Sequence, residues 1–376
     1  METTYKNERL KREFYKWLEN SKQFSGETIK CYEKAIWLWE DFTNKNDFGS
    51  FNETTATAFR EWIKNKQKNN SQEKISIAYC YHNLRFLKVF FGWLSKRAGY
   101  KLKIKEPAID CLNLSKNEVR EAKQTKSVKN PTLDEIKMVI ETIKGKTEIE
   151  KRDKAIFSLA FLTGARISAI RTLPMQSFDK KEQVIYQDPA LGVETKYNKK
   201  ITSILIPFGY KEAMDYFIEW FDYLKDQKGF KPEDPIFPAT KIENGKENIN
   251  YYNTGEVENK KLKSSGSLRK IFKKRFEQAG LNYYHPHTFR HWLVRRMAEF
   301  PLTEEQKKAF SQCLGHESTL ITFGSQGYGR IDENRQIDIM KSIDFEALKG
   351  GTGQRISDED VSRIAKQVSE NIKNNT

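Results

Sequence analysis

The sequence contains few cysteines and no long apolar run, and each absence excludes a class of protein. Its four cysteines are scattered among 376 residues, and none forms the C-x-x-C spacing of a zinc site or a redox pair. We therefore expect reduced thiols that serve only packing. No stretch approaches the roughly 18 apolar residues of a membrane-spanning helix, and residues 1–10 lack the apolar core of a signal peptide. These features favour a cytoplasmic protein.

Acidic residues are outnumbered by basic ones. Sixty-six Lys and Arg against 51 Asp and Glu give a net charge of +15. This surplus favours a polyanionic partner such as nucleic acid, because neutralising phosphates releases counterions. The alternative is an ordinary basic protein, since many soluble proteins of this charge bind no nucleic acid. A hydrophobic fraction of 38% allows a sizeable core, and the length of 376 residues predicts two domains.

The first hundred residues have helical periodicity. Apolar residues recur at three- and four-residue steps in the runs Glu27 to Phe42, Thr54 to Lys66 and Gln72 to Lys96. Gly99 follows the last run and is a typical helix terminator. We predict a helical domain over residues 1–105. Residues 106–130 are rich in Lys and Glu and contain no aromatic residue, which indicates an extended interdomain linker.

A second domain is predicted over residues 131–348. It begins with the capping-box sequence T-L-D-E at 132–135 and continues with apolar helical segments. The strand-like runs Gln183 to Tyr186 and Ile201 to Pro207 indicate a β-hairpin. The predicted fold is therefore mainly α with a small β-sheet or hairpin: a helical N-terminal domain followed by an α+β domain. Residues 349–376 read as a flexible, Gly-rich tail with an amphipathic helix.

Histidine is scarce, and its distribution is uneven. Of five histidines, four lie within one 32-residue stretch, together with three arginines; they are His285, His287, His291 and His316. Arginine offers bidentate charge to phosphate oxygens, and histidine moves protons near neutral pH. Two alternatives stay open: an ordinary solvated surface cluster, and a metal site formed by the first three of these histidines. No cysteine or carboxylate ligand stands beside them, which disfavours the metal.

Four motifs in this region resemble those of tyrosine recombinases, the phage integrase family. T-G-A-R-I-S at 163–168 resembles the first arginine box, H-T-F-R at 287–290 the H-x-x-R box, and L-G-H-E at 314–317 the L-G-H box. Tyr328 follows as the only tyrosine after Tyr284. The order of the motifs and the preceding helical domain also agree, and the resemblance covers roughly residues 5 to 345.

The resemblance implies an enzyme and assigns its catalytic residues. Tyr328 is the implied nucleophile that attacks a DNA phosphate. Arg166 and Arg290 would clamp its non-bridging oxygens, His287 would handle the proton of the tyrosine, and His316 would hydrogen-bond the phosphate. A free phenol with a pKa near 10 is a poor nucleophile, so it needs such help.

The resemblance also implies a lysine in the β-hairpin that protonates the departing 5′-hydroxyl. Lys196 best matches the family position. Lys199 and Lys200 are alternatives for this role, and all three are equally compatible with plain phosphate contacts.

Two features depart from the family pattern. Tyr328 stands twelve residues past His316, slightly farther than is common in the family. Ala169 occupies a position, three after Arg166, where many members carry an acidic residue. The longer spacing affects the expected geometry around Tyr328. The missing acidic residue would have supported the first arginine box without taking part in the reaction.

Contacts to DNA outside the catalytic residues are assigned to basic side chains. The candidates are Lys64, Lys66, Lys68, Arg85, Lys88, Lys199 and Lys200. Such contacts to phosphate would position the protein without reading bases, and the alternative for each is a solvated charged face. The family often passes a C-terminal segment to a neighbouring protomer, and the apolar stripe between Ile356 and Ile372 is compatible with this exchange.

The expected function is site-specific DNA recombination, as in integration or excision of a mobile element. The resemblance implies 3′-phosphotyrosyl intermediates, a tetramer on double-stranded DNA, an accessory directionality factor, and no requirement for metal or ATP. Such an enzyme would be cytoplasmic, and nucleoid-associated in a prokaryote. The alternatives are a type IB topoisomerase that relaxes DNA as a monomer, a catalytically silent DNA-binding protein, and, least favoured, a metal-dependent nuclease.

Overall fold

The computed structural model describes residues 2–68, 71–124, 129–244, 251–324, 328, 336–337 and 340–341. The chain divides into two compact units, Met1–Lys126 and Ser127–Thr376. Both are mainly helical, and the second also contains two small antiparallel sheets. The predicted fold class is confirmed. In the described part of the chain, no helix is both long and apolar enough to cross a membrane.

The described residues of the first unit form six helices. They are α1 (Glu2–Asn20), α2 (Gly26–Phe42), α3 (Glu53–Asn65), α4 (Ile77–Leu94), α5 (Glu106–Asp110) and α6 (Lys116–Lys123). Helix α4 begins later than the predicted Gln72. The reason is a cap, since the Ser76 hydroxyl accepts a hydrogen bond from the Tyr79 N–H at 3.2 Å.

Aromatic rings fill the core of the first unit. The rings of Phe51 and Phe91 stack with their centroids 3.8 Å apart, and Trp39 packs edge-on against Phe91 at 5.0 Å. A buried ion pair joins Lys11 to Glu40 at 2.9 Å. Most apolar positions that recur at helical spacing in the sequence are buried or half-buried here, whereas Tyr79 is 44% exposed.

The prediction of an extended linker over residues 106–130 is wrong for most of that segment. Helices α5 and α6 lie within it, and α6 begins with a capping box in which Ser115 and Glu118 bond each other's backbone N–H. Aliphatic side chains from this segment join the core of the first unit; they are Ala108, Leu112 and Leu114. Aliphatic residues are enough to bury these helices, so the absence of aromatic residues did not indicate a linker.

The second unit contains the remaining elements described. Its helices are α7 (Leu133–Thr142), α8 (Glu148–Thr163), α9 (Ile167–Thr172), α10 (Glu212–Asp222), α11 (Ser265–Gln278), α12 (His287–Met297), α13 (Glu304–Cys313) and α14 (Thr319–Phe323). Its strands are β1 (Phe178–Asp179), β2 (Val184–Gln187), β3 (Ile201–Ile204), β4 (Pro238–Asn244) and β5 (Tyr251–Lys261). A π-helical turn, Tyr223–Gln227, continues α10.

Helix α8 forms the centre of this unit. Its side chains are buried along most of its length, so neighbouring helices pack around it on several sides. Phe157 stacks on Phe272 of α11 with centroids 4.1 Å apart, and Phe161 contacts Trp292 of α12 at 5.3 Å. These contacts fix the position of α12, whose first turn carries the candidate catalytic residues.

The predicted hairpin is present. Strands β2 and β3 pair antiparallel, with Val184 opposite Ile204 and Gln187 opposite Ile201, and β1 adds a third strand. The connection between β2 and β3 carries the three candidate lysines and includes a 3₁₀ turn at Lys196–Asn198. The two strand-like runs in the sequence therefore identified this hairpin correctly.

A second hairpin, formed by β4 and β5, was not predicted. Most residues of these strands are polar or charged, so they lack the apolar alternation that marks a half-buried strand. The hairpin is held by Arg152, which donates to the Pro238 carbonyl at 2.9 Å and to Asp153 at 2.8 Å. Arg275 donates to the other oxygen of Asp153 at 2.7 Å, so this buried carboxylate is neutralised from both sides.

The predicted tail, residues 349–376, and its amphipathic helix lie outside the described residues.

Candidate active site

The site is built on the first turn of α12. His287 is the first residue of that helix and Arg290 the fourth. Arg290 is only 2% exposed, and backbone carbonyls hold its guanidinium: it donates to Gly164 O at 3.0 Å and to Leu314 O. The three sequence boxes therefore meet at one side chain, because these two carbonyls belong to the first arginine box and the L-G-H box.

Glycine is required at two of these positions. Gly164 ends α8 with φ +57°, and a β-carbon there would lie 2.8 Å from Leu293 Cδ1 and 3.3 Å from the α-carbon of Arg290. Gly315 has φ +67°, and a β-carbon there would overlap Ile201. Both glycines combine a left-handed backbone with close approach of a neighbouring element. They let the loops that carry Arg166 and His316 reach α12 and the sheet.

The hydroxyl of Tyr328 lies against His287. The phenolic oxygen is 2.9 Å from His287 Nε2. The tyrosine ring stacks on His316 with centroids 4.8 Å apart and contacts His291 at 4.6 Å, while the Arg290 guanidinium lies 5.6 Å from the ring centre. Tyr328 is therefore half-buried among three imidazoles and an arginine.

Burial keeps these imidazoles neutral. Removal from water, followed by repulsion from Arg290, lowers the pKa of His287 to about 4. The same two causes lower the pKa of His316 to about 3, and burial with the nearby Arg295 lowers the pKa of His291 to about 4. At neutral pH, His287 is thus an unprotonated base beside the phenol, and in its Nδ1–H tautomer its Nε2 accepts the phenolic proton.

Arg166 contributes positive charge to the same place. It is the half-buried N-cap residue of α9, and its charge lowers the pKa of His287, His316 and Arg290. Burial and the charge of Arg166 together lower the pKa of Arg290 to about 9, so the Arg290 guanidinium remains charged at neutral pH. Two adjacent buried or half-buried cations favour an anion between them.

His316 is held from the protein interior. Its Nε2 lies 3.0 Å from Nη2 and 3.3 Å from Nε of Arg290, and its Nδ1 lies 2.7 Å from the Thr322 hydroxyl. Thr322 in turn is 2.7 Å from the Ser311 hydroxyl. Thr322 and Ser311 lie outside the sequence motifs described above. Their hydrogen bond forms only when α13 and α14 pack together, so no sequence pattern marked them.

The hairpin lysines differ in their surroundings. Lys199 forms an ion pair with Glu317, and Lys200 pairs with Asp188 at 2.7 Å. Lys196 is exposed, with Nζ 4.8 Å from the centre of the Tyr197 ring, and its charge contributes to lowering the pKa of His316. Lys196 is therefore near the cluster, while the charges of the other two lysines are compensated by carboxylates.

The basic candidates in the first unit lie on its own surface, and most have local partners. Ion pairs join Lys64 to Glu61 and Glu118, Lys66 to Asp41, Lys68 to Glu73, and Lys88 to Asp110. The Arg85 guanidinium lies 5.4 Å from the centre of the Tyr81 ring. Each of these pairs, apart from the half-buried Lys64 pairs, is exposed and therefore weak, so an incoming phosphate would replace it easily.

In the described residues, no three or more His, Cys, Asp and Glu side chains are placed to hold a metal ion. His285 is exposed, and its Nδ1 accepts the backbone N–H of His287 at 3.2 Å. His291 packs against His287 and Tyr328 through ring contacts. Of these three histidines, His287 and His291 contact Tyr328, and His285 contacts the backbone of His287.

Comparison with known proteins agrees with this geometry. The model of the phage integrase family matches residues 129–335, which is more than half of the chain. The chain belongs to the phage integrase family. It is a tyrosine recombinase, an enzyme that cleaves and rejoins DNA in site-specific recombination.

Named relatives resemble this tyrosine recombinase over most of its length. Tyrosine recombinase XerC of Mannheimia succiniciproducens is 23% identical over 311 residues, 82% of this chain and 89% of that protein. XerC of Histophilus somni is 23% identical over 315 residues, covering 83% and 90%.

Solved structures share the fold. XerH recombinase bound to a palindromic difH substrate, a post-cleavage complex, has a TM-score of 0.57 at 15% identity and covers 88% of this chain and 83% of that one. Lambda integrase, as a tetramer on a Holliday junction, has a TM-score of 0.54 at 15% identity, covering 86% and 78%. Tn1549 transposon integrase with transposon right end DNA has the same score and identity, covering 88% and 98%.

Proposed function

We propose that Tyr328 is the nucleophile and that the recombinase acts through a 3′-phosphotyrosyl intermediate. The phenolic oxygen bonds to the scissile phosphorus as the bond to the 5′ oxygen breaks. The phenolic proton passes to His287, and the 5′ oxygen takes a proton and leaves as a hydroxyl. The observation that carries this proposal is the 2.9 Å contact between the Tyr328 hydroxyl and the neutral His287 Nε2.

Arg166, Arg290 and His316 would bind the scissile phosphate. The transition state of phosphoryl transfer spreads negative charge over the non-bridging oxygens, and fixed cations and N–H donors stabilise it. Arg290 is held rigidly by two backbone carbonyls, and Arg166 adds a second charge beside it. Because these groups are already ordered, little reorganisation accompanies the reaction.

Lys196 would protonate the departing 5′ oxygen. It is the hairpin lysine whose charge reaches His316, while Lys199 and Lys200 are engaged by Glu317 and Asp188. The phosphotyrosyl link conserves the phosphodiester bond energy, so rejoining by a 5′-hydroxyl reverses the same steps. The proposed reaction therefore requires neither ATP nor a metal ion.

We infer that the substrate is double-stranded DNA with specific recombination sites, bound by a tetramer, for integration or excision of a mobile element. The lambda integrase tetramer on a Holliday junction and the Tn1549 transposon integrase with transposon end DNA support this role by analogy of fold. The net charge of +15 supports phosphate binding. The exposed basic residues of the first unit, and an accessory directionality factor, would complete the complex.

A DNA suicide substrate tests the proposal. Candidate DNA from the sequence flanking the gene is nicked near the crossover, so that cleavage releases a short strand and traps the adduct. The reaction is run in EDTA with wild type and Tyr328→Phe and resolved on a denaturing gel. We expect a slow-migrating protein–DNA adduct from wild type alone. Tight binding of a candidate site without any adduct would instead support a catalytically silent DNA-binding protein.

A further inference from the structure

A chain of hydrogen bonds runs from the phosphate-binding cluster into the protein interior. It starts at Arg290, passes through both ring nitrogens of His316 to Thr322 and Ser311, and ends at the Ser318 carbonyl. The links after the arginine measure 2.7, 2.7 and 3.2 Å. His316, Thr322 and Ser311 are 8%, 0% and 2% exposed, so water offers them little alternative.

The two ends of this chain fix its direction. A guanidinium has only N–H donors, so His316 Nε2 must be the acceptor and the ring proton must lie on Nδ1. Nδ1–H then donates to Thr322, the Thr322 hydroxyl donates to Ser311, and the Ser311 hydroxyl donates to the Ser318 carbonyl, which only accepts. Burial lowers the pKa of His316 to about 3, so the imidazole is neutral and a single tautomer satisfies every link.

A bound phosphate requires the opposite tautomer. To donate to a phosphate oxygen, His316 must carry its proton on Nε2, so Nδ1 becomes an acceptor. Hydroxyl groups both donate and accept, so Thr322 then donates to Nδ1 and Ser311 donates to Thr322. A carbonyl or carboxylate in place of Thr322 would only accept, and would lock the free-state tautomer.

Reversal gives up the Arg290 contacts to Nε2, whose N–H groups would then donate to the phosphate, and in the interior part of the chain only the weakest link. The Ser311–Ser318 bond, at 3.2 Å, is longer than the usual 2.5–3.0 Å of an O–H···O bond. The Ser318 carbonyl also accepts the Ile321 N–H at 3.1 Å, so it keeps a partner when Ser311 turns away. The number of protons on the imidazole and the charge of the ring are the same in the two tautomers.

We propose that Thr322 and Ser311 are positioning residues that hold His316 as its Nδ1–H tautomer in the free protein and reverse together when a phosphate binds. Thr322 serves both tautomers, while Ser311 stabilises mainly the free one. The bound-state half of this proposal rests on the proposed function, and the free-state half rests on the hydrogen-bond geometry alone.

The free-state half is tested without DNA, on the full chain at neutral pH. Long-range ¹H–¹⁵N spectra of protein with ¹⁵N-labelled histidine distinguish a protonated ring nitrogen from a bare one, and His316→Gln identifies the signals. We expect wild-type His316 to carry its proton on Nδ1. Ser311→Ala should raise the fraction of the Nε2–H tautomer, because Thr322 then loses its acceptor and can donate to Nδ1. Arg290 still donates to Nε2 in this variant and keeps the shift partial. A proton on Nε2 in the free wild type, or an unchanged tautomer in Ser311→Ala, would overturn the proposal.

The bound-state half is tested by cleavage of the nicked substrate. Thr322→Val removes the hydroxyl and keeps the branched shape; it should cleave about tenfold more slowly, the effect of losing one buried hydrogen bond. Thr322→Ser should restore cleavage to within about twofold, and Ser311→Ala should cleave nearly as wild type does. Thermal unfolding checks that each variant folds. The bound-state half would be contradicted if Thr322→Val cleaved at the wild-type rate. It would also be contradicted if Thr322→Val and Ser311→Ala lost cleavage rate equally. If the wild type never forms an adduct, the proposed function is contradicted. The ¹⁵N spectra then still test the tautomer of His316 in the free protein.

Discussion

In the proposed mechanism, the reactivity of Tyr328 depends on a neutral imidazole within hydrogen-bond distance. We expect His287→Gln, which keeps a polar side chain but cannot accept and hold the phenolic proton, to slow cleavage about a hundredfold. Single-turnover formation of the adduct on the nicked substrate measures this rate. His82→Gln is the matched control, because His82 lies exposed on α4 of the first unit, and it should cleave as wild type does.

The pH dependence of cleavage follows from the same contact. Burial and Arg290 lower the pKa of His287 from 6.5 to about 4, so the base is available above that value and is lost as the pH falls through it. With DNA below saturation, the rate reports the free protein. It should therefore show no acid limb between pH 8 and 5 from this group. A limb centred near pH 6.5 would mean that His287 titrates as an exposed histidine.

The proposed catalytic residues could be named from the sequence because few residues of the right kind compete for each role. Tyr328 is the only tyrosine after Tyr284, and only His287 has an arginine three places on among the clustered histidines. Thr322 and Ser311 could not be named in this way. Their role depends on a contact with His316 inside the fold, and serine and threonine are too common for position alone to mark them.

Among the elements, the junction between α8 and α12 controls the site. Gly164→Ala places a β-carbon 2.8 Å from Leu293 and 3.3 Å from the Arg290 backbone, in a left-handed conformation. The conformation alone costs about 1–2 kcal/mol of unfolding free energy, and the crowding adds to this and displaces Arg290. We expect both lower stability in urea denaturation and loss of adduct formation.

Gly280→Ala is the matched control for this change. Gly280 also has a positive φ, +68°, in the same unit, but a β-carbon there would meet nothing within 4 Å. It should lose only the backbone contribution, about 1–2 kcal/mol, and still form the adduct. Equal effects of the two substitutions on cleavage would show that the close approach to α12 does not matter.

Secondary structure was predictable where capping residues or strand-like runs mark the ends of an element. The Thr132 hydroxyl accepts the Glu135 N–H at 3.1 Å, as the capping-box sequence predicts, and strands β2 and β3 coincide with the two strand-like runs. Helices α5 and α6 and strands β4 and β5 were missed. Their residues are largely polar, and a few small apolar side chains or one buried charge network anchor them, which no periodic pattern reveals.

At the scale of the whole molecule, the proposed recombination uses several protomers, and the predicted tail is the candidate for joining them. In the amphipathic helix predicted there, Ile356, Val361, Ile364, Val368 and Ile372 would form an apolar stripe that needs a surface to cover it. We expect deletion of residues 354–376 to weaken recombination between two sites while leaving binding to a single site unchanged in a gel-shift assay. Unchanged recombination by the truncated protein would show that the tail does not join protomers.

The two-unit organisation was predicted from length and periodicity, but its boundary was not. The sequence placed the end of the helical domain at residue 105, whereas the first compact unit extends to Lys126. Leu112 and Leu114 bury against the same core as the earlier helices. Tertiary packing determines whether such leucines are buried, and local composition does not indicate it. The boundary of the first unit could therefore not be predicted from composition.

The most direct test of the account is to locate the DNA on the protein. The adduct trapped on the nicked substrate is trimmed with nuclease and trypsin, and the modified peptide is fragmented by mass spectrometry. We expect a nucleotide bound through phosphate to the tryptic peptide 309–330, in which Tyr328 is the only tyrosine. A nucleotide on any other residue, or an adduct that persists in Tyr328→Phe, would contradict the assignment of the nucleophile.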